Sequence, residues 1–352
     1  MSPMDALGRP PHAETARFGA GAAVLTLVAL LLVATVQWGA MPIQPADWLA
    51  PWRADLRSGS AQVLWELRLP RAVLAVGVGA SLGLAGALTQ GLFRNPLADP
   101  GLLGITSGAA CAAALVLTVG AESPSGLPAA WRPWALPSAA LAGGLAVCFM
   151  LDRLARWLTP GSVAGLLLTG LALNALTMAI VGLCTYVATD EQLRSLTFWT
   201  LGSLAGGEWM MAALLLALPA LSLPWCLRLA NGLNALALGE AVAGHVGLDV
   251  ARLRYQVIAL VAVLCGVAVA WCGVIGFIGL MAPHLARTWV GADQRRLMPV
   301  SAGLGAALLL AADTAARTVA LPAEIPVGIF TALLGAPLFL ALLRNATRAG
   351  TA

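Results

Sequence analysis

The side chains able to do chemistry are few in this chain, and their spacing does not gather them. Its three histidines are His12, His245 and His284, and no pair stands at a metal-site separation. A metal site needs several converging ligands, so these read as solvated or helix-end histidines. The six cysteines, Cys111, Cys148, Cys184, Cys226, Cys265 and Cys272, all lie in apolar stretches and form no C-x-x-C pair. They read as small buried hydrophobes rather than redox or metal groups, and say nothing about compartment. All 20 basic residues are arginine, with no lysine anywhere. A Walker A loop needs its lysine on the β- and γ-phosphates, so this chain carries no P-loop ATPase. We expect no catalytic residue, no metal and no cofactor bound by this chain.

Carboxylates inside apolar segments would mark a proton or ion relay. Almost none are present: Asp313 lies near one segment's end and Asp152 stands beside Arg153. A proton-coupled secondary transporter usually needs such a group at mid-membrane. An intramembrane protease or transferase needs a cluster of His, Asp or Glu.

The elements that hold these residues are dictated by composition. Of 352 residues, 60% are hydrophobic and only 10% charged, with a mean hydropathy of +0.86 and a net charge of +4. A soluble domain is about half apolar and about a quarter charged. Charge this sparse excludes a soluble enzyme, a nucleic-acid binder and a disordered chain. Long apolar runs occupy residues 18–40, 72–93, 100–121, 133–151, 157–189, 209–227, 255–286, 297–312 and 325–343. Most are about the length of a spanning helix, 157–189 is longer than one span requires, and lipid demands that backbone groups pair internally. The first run is too long for an ordinary signal peptide and reads as a retained first helix.

Residues 255–286 are long for one pass and short for two, and are interrupted by Gly273, Gly276, Gly279 and Pro283. Arg252 and Arg254 precede the run, and Arg287, Arg295 and Arg296 follow it. Positive charge collects on the cytoplasmic side, so both ends belong there and the run makes two passes, one of them short or broken. The expected fold is an all-α polytopic membrane protein of about ten helices. With both termini cytoplasmic, thirteen arginines fall inside and seven outside: Arg53, Arg57, Arg68, Arg71, Arg132, Arg194 and Arg317. Residues 1–17 form a cytoplasmic tail, 18–345 the transmembrane domain and 346–352 a second cytoplasmic tail. Residues 195–207 are uncharged but too short to span, as expected of a short helix packed against protein. Gly79 and Gly83, and Gly161 and Gly165, make G-x-x-x-G pairs that suit close helix packing within one subunit.

Two stretches stand apart from generic membrane sequence. One begins Leu67-Arg68-Leu69-Pro70-Arg71 and ends Gln90-Gly91-Leu92-Phe93-Arg94-Asn95-Pro96-Leu97-Ala98-Asp99-Pro100-Gly101-Leu102-Leu103-Gly104. The other runs from Gly276-Phe277-Ile278-Gly279-Leu280-Met281-Ala282-Pro283-His284-Leu285-Ala286-Arg287 through Ala312-Asp313-Thr314-Ala315-Ala316-Arg317 and Glu324-Ile325-Pro326-Val327-Gly328 to Gly335-Ala336-Pro337. From Arg68 to Leu343 the chain resembles the iron-chelate and cobalamin permease family of ABC importers, the type II importer membrane subunits.

The resemblance implies a homodimer with one path between the copies, two ATPase subunits that hold ATP and Mg2+, and a periplasmic binding protein outside. It implies that Arg68, Arg71 and Arg317 accept glutamates of the binding protein. The topology places all three outside independently, and an arginine fork suits a carboxylate. It also implies an ATPase-coupling segment near 236–252, built as two short helices, with Glu240 and His245 as contacts and Gly244 and Gly247 at the turn. The path, by resemblance, is lined by the fifth and tenth spans. Its candidates are Thr169, Asn174 and Thr177 on the fifth and Thr331 on the tenth. Thr169 and Thr177 are eight residues apart and share a face.

Residues 189–209 and 322–328 look most like haem permeases, so haem is the expected cargo, followed by ferric siderophore and then a corrinoid. The expected location is the bacterial inner membrane, with no nucleic-acid partner. The readings of another class are a proton-coupled secondary transporter and a structural or receptor-like membrane protein.

Overall fold

Uncharged runs of some twenty residues can satisfy their backbone in lipid only as helices or closed barrels, and here they form helices. The structure, a computed structural model, describes residues 12–53, 59–120, 131–321 and 323–350. Arg9 and the start of the N-terminal tail, Arg57, residues 121–130, Pro322 and residues 351–352 lie outside the described residues.

Among the described residues there is no strand. The helices are α1 (His12–Gln37), α2 (Gly59–Gln62), α3 (Leu69–Phe93), α4 (Ile105–Thr118), α5 (Arg132–Leu158), α6 (Val163–Val187) and α7 (Asp190–Thr200). Then follow α8 (Trp209–Ala237), α9 (Glu240–His245), α10 (Val250–Cys272), α11 (Ile278–Val290), α12 (Gln294–Thr318) and α13 (Val327–Gly350). A π-helical stretch, Val63–Arg68, joins α2 to α3 in one continuous helix. Among the described residues, seven helices are long and apolar enough to cross a membrane: α1, the α2–α3 helix, α5, α6, α8, α10 and α12. The expected ten would require α4, α11 and α13 to cross as well. At 1.5 Å per residue α4 and α11 reach only about 20 Å, short of a bilayer core.

α3 lies at the centre, and every residue from Ser81 to Phe93 is buried. Its glycines let backbones touch. A Cβ on Gly79 would strike the Gly305 carbonyl of α12, one on Gly83 the Ser301 carbonyl, and one on Gly86 the Gly279 carbonyl of α11. The first G-x-x-x-G pair therefore packs helices of one subunit, as expected. The second does not: Gly161 lies in the turn before α6 with φ 79°, and Gly165 packs on the Thr159 side chain.

Residues 255–286 divide into two helices. α10 stops at Cys272, Gly273 and Phe277 take positive φ of 68° and 66°, and α11 begins at Ile278. The Ser203 N–H reaches across from the chain beyond α7 and donates to the freed Cys272 carbonyl at 2.8 Å. α7 itself is capped by a reciprocal Thr189–Gln192 pair and tied to the end of α4 by Gln192 Nε2 donating to Thr118 O at 3.1 Å.

The shortness of α4 has a visible cause. After Arg94 the chain turns back through a 3-10 turn, Pro100–Leu103, capped by Asp99 accepting from Gly101 N–H at 2.7 Å. The Leu102 carbonyl lies against Gly170, about 10 Å along α6 from its start. Irregular backbone at that depth is tolerated because protein covers it.

Gly83→Leu should destabilise the bundle by about 3 kcal/mol, because the Ser301 carbonyl occupies the space. Gly182→Ala in α6, with nothing within 4 Å, should be neutral or stabilise by up to about 1 kcal/mol. Thermal melting in detergent checks both; equal melting temperatures would remove the close-approach account.

Candidate functional site

The outer arginines come from three separate stretches of sequence, and the fold brings them together. Arg68 ends the π-helical stretch, Arg71 opens α3 and Arg317 closes α12. Each is largely buried and each is already engaged. Arg68 donates through Nη1 to Val36 O at 2.9 Å and through Nη2 to Met41 O at 2.7 Å. It thus satisfies a carbonyl that the end of α1 leaves open, where a cation also suits the helix dipole. Arg71 donates to Asp313 Oδ1 through Nη2 at 2.9 Å and to Glu324 Oε2 through Nη1 at 2.7 Å. Arg317 donates through Nη2 to Thr35 O at 2.8 Å, and its Nε lies 3.4 Å from Asp313 Oδ2.

Asp313 is wholly buried, whereas about half of Glu324 is exposed. Three guanidinium groups therefore face two carboxylates, leaving the cluster one positive charge in excess. Arg68, Arg71, Arg317 and Glu324 line a cavity of about 280 Å³ with Leu67 and Leu321. The sequence reading anticipated the arginines but missed Asp313 and Glu324 as their internal counter-ions. Asp152, likewise, pairs with Arg156 one turn on rather than with its neighbour Arg153.

On the opposite side, α9 stands alone between the ends of α8 and α10, so the expected pair of short helices is a single one. The rest of the segment is a turn whose Asp249 accepts from Arg252 N–H at 2.9 Å and caps α10. Gly239 and Gly247 take positive φ of 114° and 82° on either side of α9, while Gly244 sits within it. Glu240 braces the segment. Its Oε1 accepts from Arg254 Nη2 at 3.1 Å and lies 4.0 Å from Arg94 Nη2. His245 is exposed, and its Nδ1 donates to Ala241 O at 2.6 Å. The outward surface of the segment is apolar: Leu238 at the end of α8, Val242 within α9 and Val246 at its C-cap are 73%, 47% and 70% exposed. Sequence reasoning named polar contacts and did not single out these three residues.

Other polar links fasten the same side. Asn234 Nδ2 donates to Asp293 Oδ1 at 2.8 Å and Arg295 Nε donates to Asn231 Oδ1 at 2.7 Å, tying the end of α8 to the start of α12. Arg287 Nη2 donates to Gln90 Oε1 at 3.2 Å.

The path candidates are mostly turned inward. Thr177 and Thr331 are buried and donate to Leu173 O and Gly328 O of their own helices, each at 3.0 Å. Thr169 donates to Gly165 O at 2.8 Å. Asn174 accepts from Ser107 Oγ of α4 at 2.5 Å. The surface that α6 presents is apolar instead, with Leu168, Leu171, Leu176, Met178, Leu183 and Tyr186 exposed. α13 presents Leu333, Leu334 and Leu340.

Residues 26–345 match the model of the FecCD transport family. A hemin transport system permease protein of Yersinia pestis is 43% identical over 323 residues, covering 91% of this chain and 93% of the relative. A vitamin B12 import system permease protein of Escherichia coli O157:H7 is 40% identical over 346 residues, covering 97% and 99%. A solved structure described as a metal-chelate type ABC transporter, in an inward-facing conformation, aligns with a TM-score of 0.78 at 33% identity, covering 92% of this chain and 98% of that one. With seven helices suited to crossing a membrane and the family pattern running through nearly its whole length, the chain is a membrane permease of the FecCD transport family.

Proposed function

We propose that this chain is the membrane-spanning subunit of an ATP-driven importer that brings haem into the cytoplasm. In this reading two copies form one path. Two separate ATPase subunits bind ATP and Mg2+ on the cytoplasmic side, and a periplasmic protein delivers the cargo. Both termini face the cytoplasm of a bacterial cell whose inner membrane holds the complex.

The observation that carries the importer reading is the braced α9 segment. A short segment between two spans, fixed by Glu240 and Arg254, offers Leu238, Val242 and Val246 to the exterior. Exposed apolar groups on a fixed element mark a protein partner. They lie on the side where Arg94, Arg254 and Arg295 gather, which the positive-inside tendency assigns to the cytoplasm. Haem is favoured by the likeness to the hemin permease. It is also favoured by the apolar face of α6, which suits a flat, largely apolar macrocycle better than a hydrophilic siderophore. Weak lining contacts are expected of a translocator, because cargo must leave as well as enter.

On the outer side the proposed docking of the binding protein competes with groups of this chain. Glu324 occupies Arg71 Nη1 at 2.7 Å and is half exposed, so a docking glutamate has to displace it or settle on Arg68 and Arg317.

Proteoliposomes containing this chain with its neighbouring ATPase, given the binding protein loaded in turn with haem, a ferric siderophore and cobalamin, test the cargo. ATP-dependent uptake of haem alone is expected. Uptake of another chelate in its place would remove the haem assignment, and none at all from an intact complex would contradict the importer.

Val242→Asp with Val246→Asp should weaken association with the ATPase at least about tenfold, as the loss of two central apolar contacts does, while membrane insertion is unchanged. Co-purification measures this, and undiminished association would remove α9 from the interface. Glu324→Gln should tighten docking of the binding protein several-fold at low salt, and the gain should fade above about 0.5 M salt. Docking unchanged at low salt would separate the arginines from that role.

A further inference from the structure

Among the described residues only two non-glycine residues take positive φ, Arg94 and Phe277. Arg94 caps the end of α3 at φ 51° and ψ 31°, where its N–H and that of Asn95 both donate to Gln90 O. Glycine is the usual occupant of this left-handed position, because a Cβ there crowds the following carbonyl. Backbone strain of this kind is kept where the side chain has a use.

The Arg94 side chain reaches α9. Its Nη2 lies 4.0 Å from Glu240 Oε1, the oxygen that also accepts from Arg254 Nη2 at 3.1 Å. Glu240 thus joins α9 to the end of α3 and to α10 at once. Ala243 is the one buried residue of α9, and Gly239 and Gly247 flank the helix at positive φ. Partly exposed ion pairs add little to stability, so the pair of Arg94 with Glu240 is not what holds the fold.

Beyond Arg94 the chain is a series of locked turns. The Leu97 N–H donates to Asn95 Oδ1 at 2.9 Å, Ala98 N–H to Asn95 O at 3.1 Å, Leu102 N–H to Asp99 O at 3.1 Å and Gly104 N–H to Gly101 O at 3.0 Å. Pro96 and Pro100 fix φ at two further points. The far end bears on α6: the Leu102 carbonyl lies against Gly170, and Ser107 Oγ in the first turn of α4 donates to Asn174 Oδ1 at 2.5 Å. Residues 95–104 therefore form a stiff link with Arg94 at one end and α6 at the other.

We propose that Arg94 is a positioning residue that ties α9 to this link, so that movement of α9 on its ATPase partner passes to residues 95–104 and on to α6. The importer reading supplies the partner at α9, and the role of Arg94 rests on it. Arg94 touches neither cargo nor nucleotide and acts through Glu240.

Hydrogen exchange of the complete complex in detergent, with and without ATP and vanadate, tests this. In the unaltered complex ATP and vanadate should change exchange both in residues 240–246 and at the amides of Leu97, Ala98, Leu102 and Gly104. Arg94→Gly and Arg94→Asn suit the left-handed backbone, so the melting temperature should not fall and the ATPase should stay bound. In both variants the response of the 95–104 link should shrink at least about fivefold while that of residues 240–246 is kept. Arg94→Lys should retain most of the response. A link that responds fully in Arg94→Gly and Arg94→Asn would overturn the proposal, as would a link that stays silent in the unaltered complex while α9 responds. Loss of the response in Arg94→Gly alone would trace it to a slackened turn, and loss of the bound ATPase would place Arg94 in that interface; either overturns the proposal. No response at α9 in the unaltered complex would instead contradict the importer reading itself.

Discussion

Asp313 carries a charge where no water reaches, and the outer half of the bundle is organised around it. Its carboxylate is wholly buried in α12 and lies between Arg71 of α3 and Arg317 one turn further along α12. Stripping one partner from such a group leaves an uncompensated buried charge, at a cost of about 3–5 kcal/mol. The pairing therefore holds α3 and α12 in register. Arg317 and Arg68 extend it to the carbonyls of Thr35 and Val36, which fastens α1 to the same core. Fixed arginines of this kind form a preorganised cluster with one positive charge in excess, which is what the proposed docking would use.

Lipid imposes the same rule elsewhere with smaller groups. Buried hydroxyls turn back onto their own helices, as Thr177 and Thr331 do. Helices meet through glycine, so α3, α11 and α12 approach backbone to backbone. The result is a tight centre of α3 and α12 and a looser periphery, where α6 and α13 keep broad apolar faces exposed. A second copy covering those faces, as proposed, would place its path along helices at the edge of the bundle.

Much of this was legible in the sequence because charge is so scarce. Among the described residues, arginines flank rather than interrupt residues 255–286, and that flanking pointed to a division of the run, which the structure makes between α10 and α11; the sequence also grouped Arg68, Arg71 and Arg317. The pairing of Arg71 with Asp313 and Glu324 was not legible, since the partners lie 242 and 253 residues away and meet only through the tertiary fold. The number of crossings blurred for a different reason. α4 and α11 are too short for a hydropathy window, and the re-entrant turn after Asp99 makes up part of the missing length. In the α9 segment Gly244 and Gly247 were expected at the turn; the backbone takes positive φ at Gly247 as expected and at Gly239, while Gly244 is helical. Attention to polar contacts there left Leu238, Val242 and Val246 unnamed.

The one wholly buried carboxylate among the described residues, Asp313, serves as counter-ion to two arginines, and in the proposed importer the energy comes from a partner that docks at α9. Driving force is therefore the decisive variable. Haem uptake would be followed in proteoliposomes holding the assembled complex, once with ATP and a protonophore and once with an imposed proton gradient and no nucleotide. The account predicts undiminished uptake in the first case and none in the second. Uptake driven by the gradient alone would contradict it.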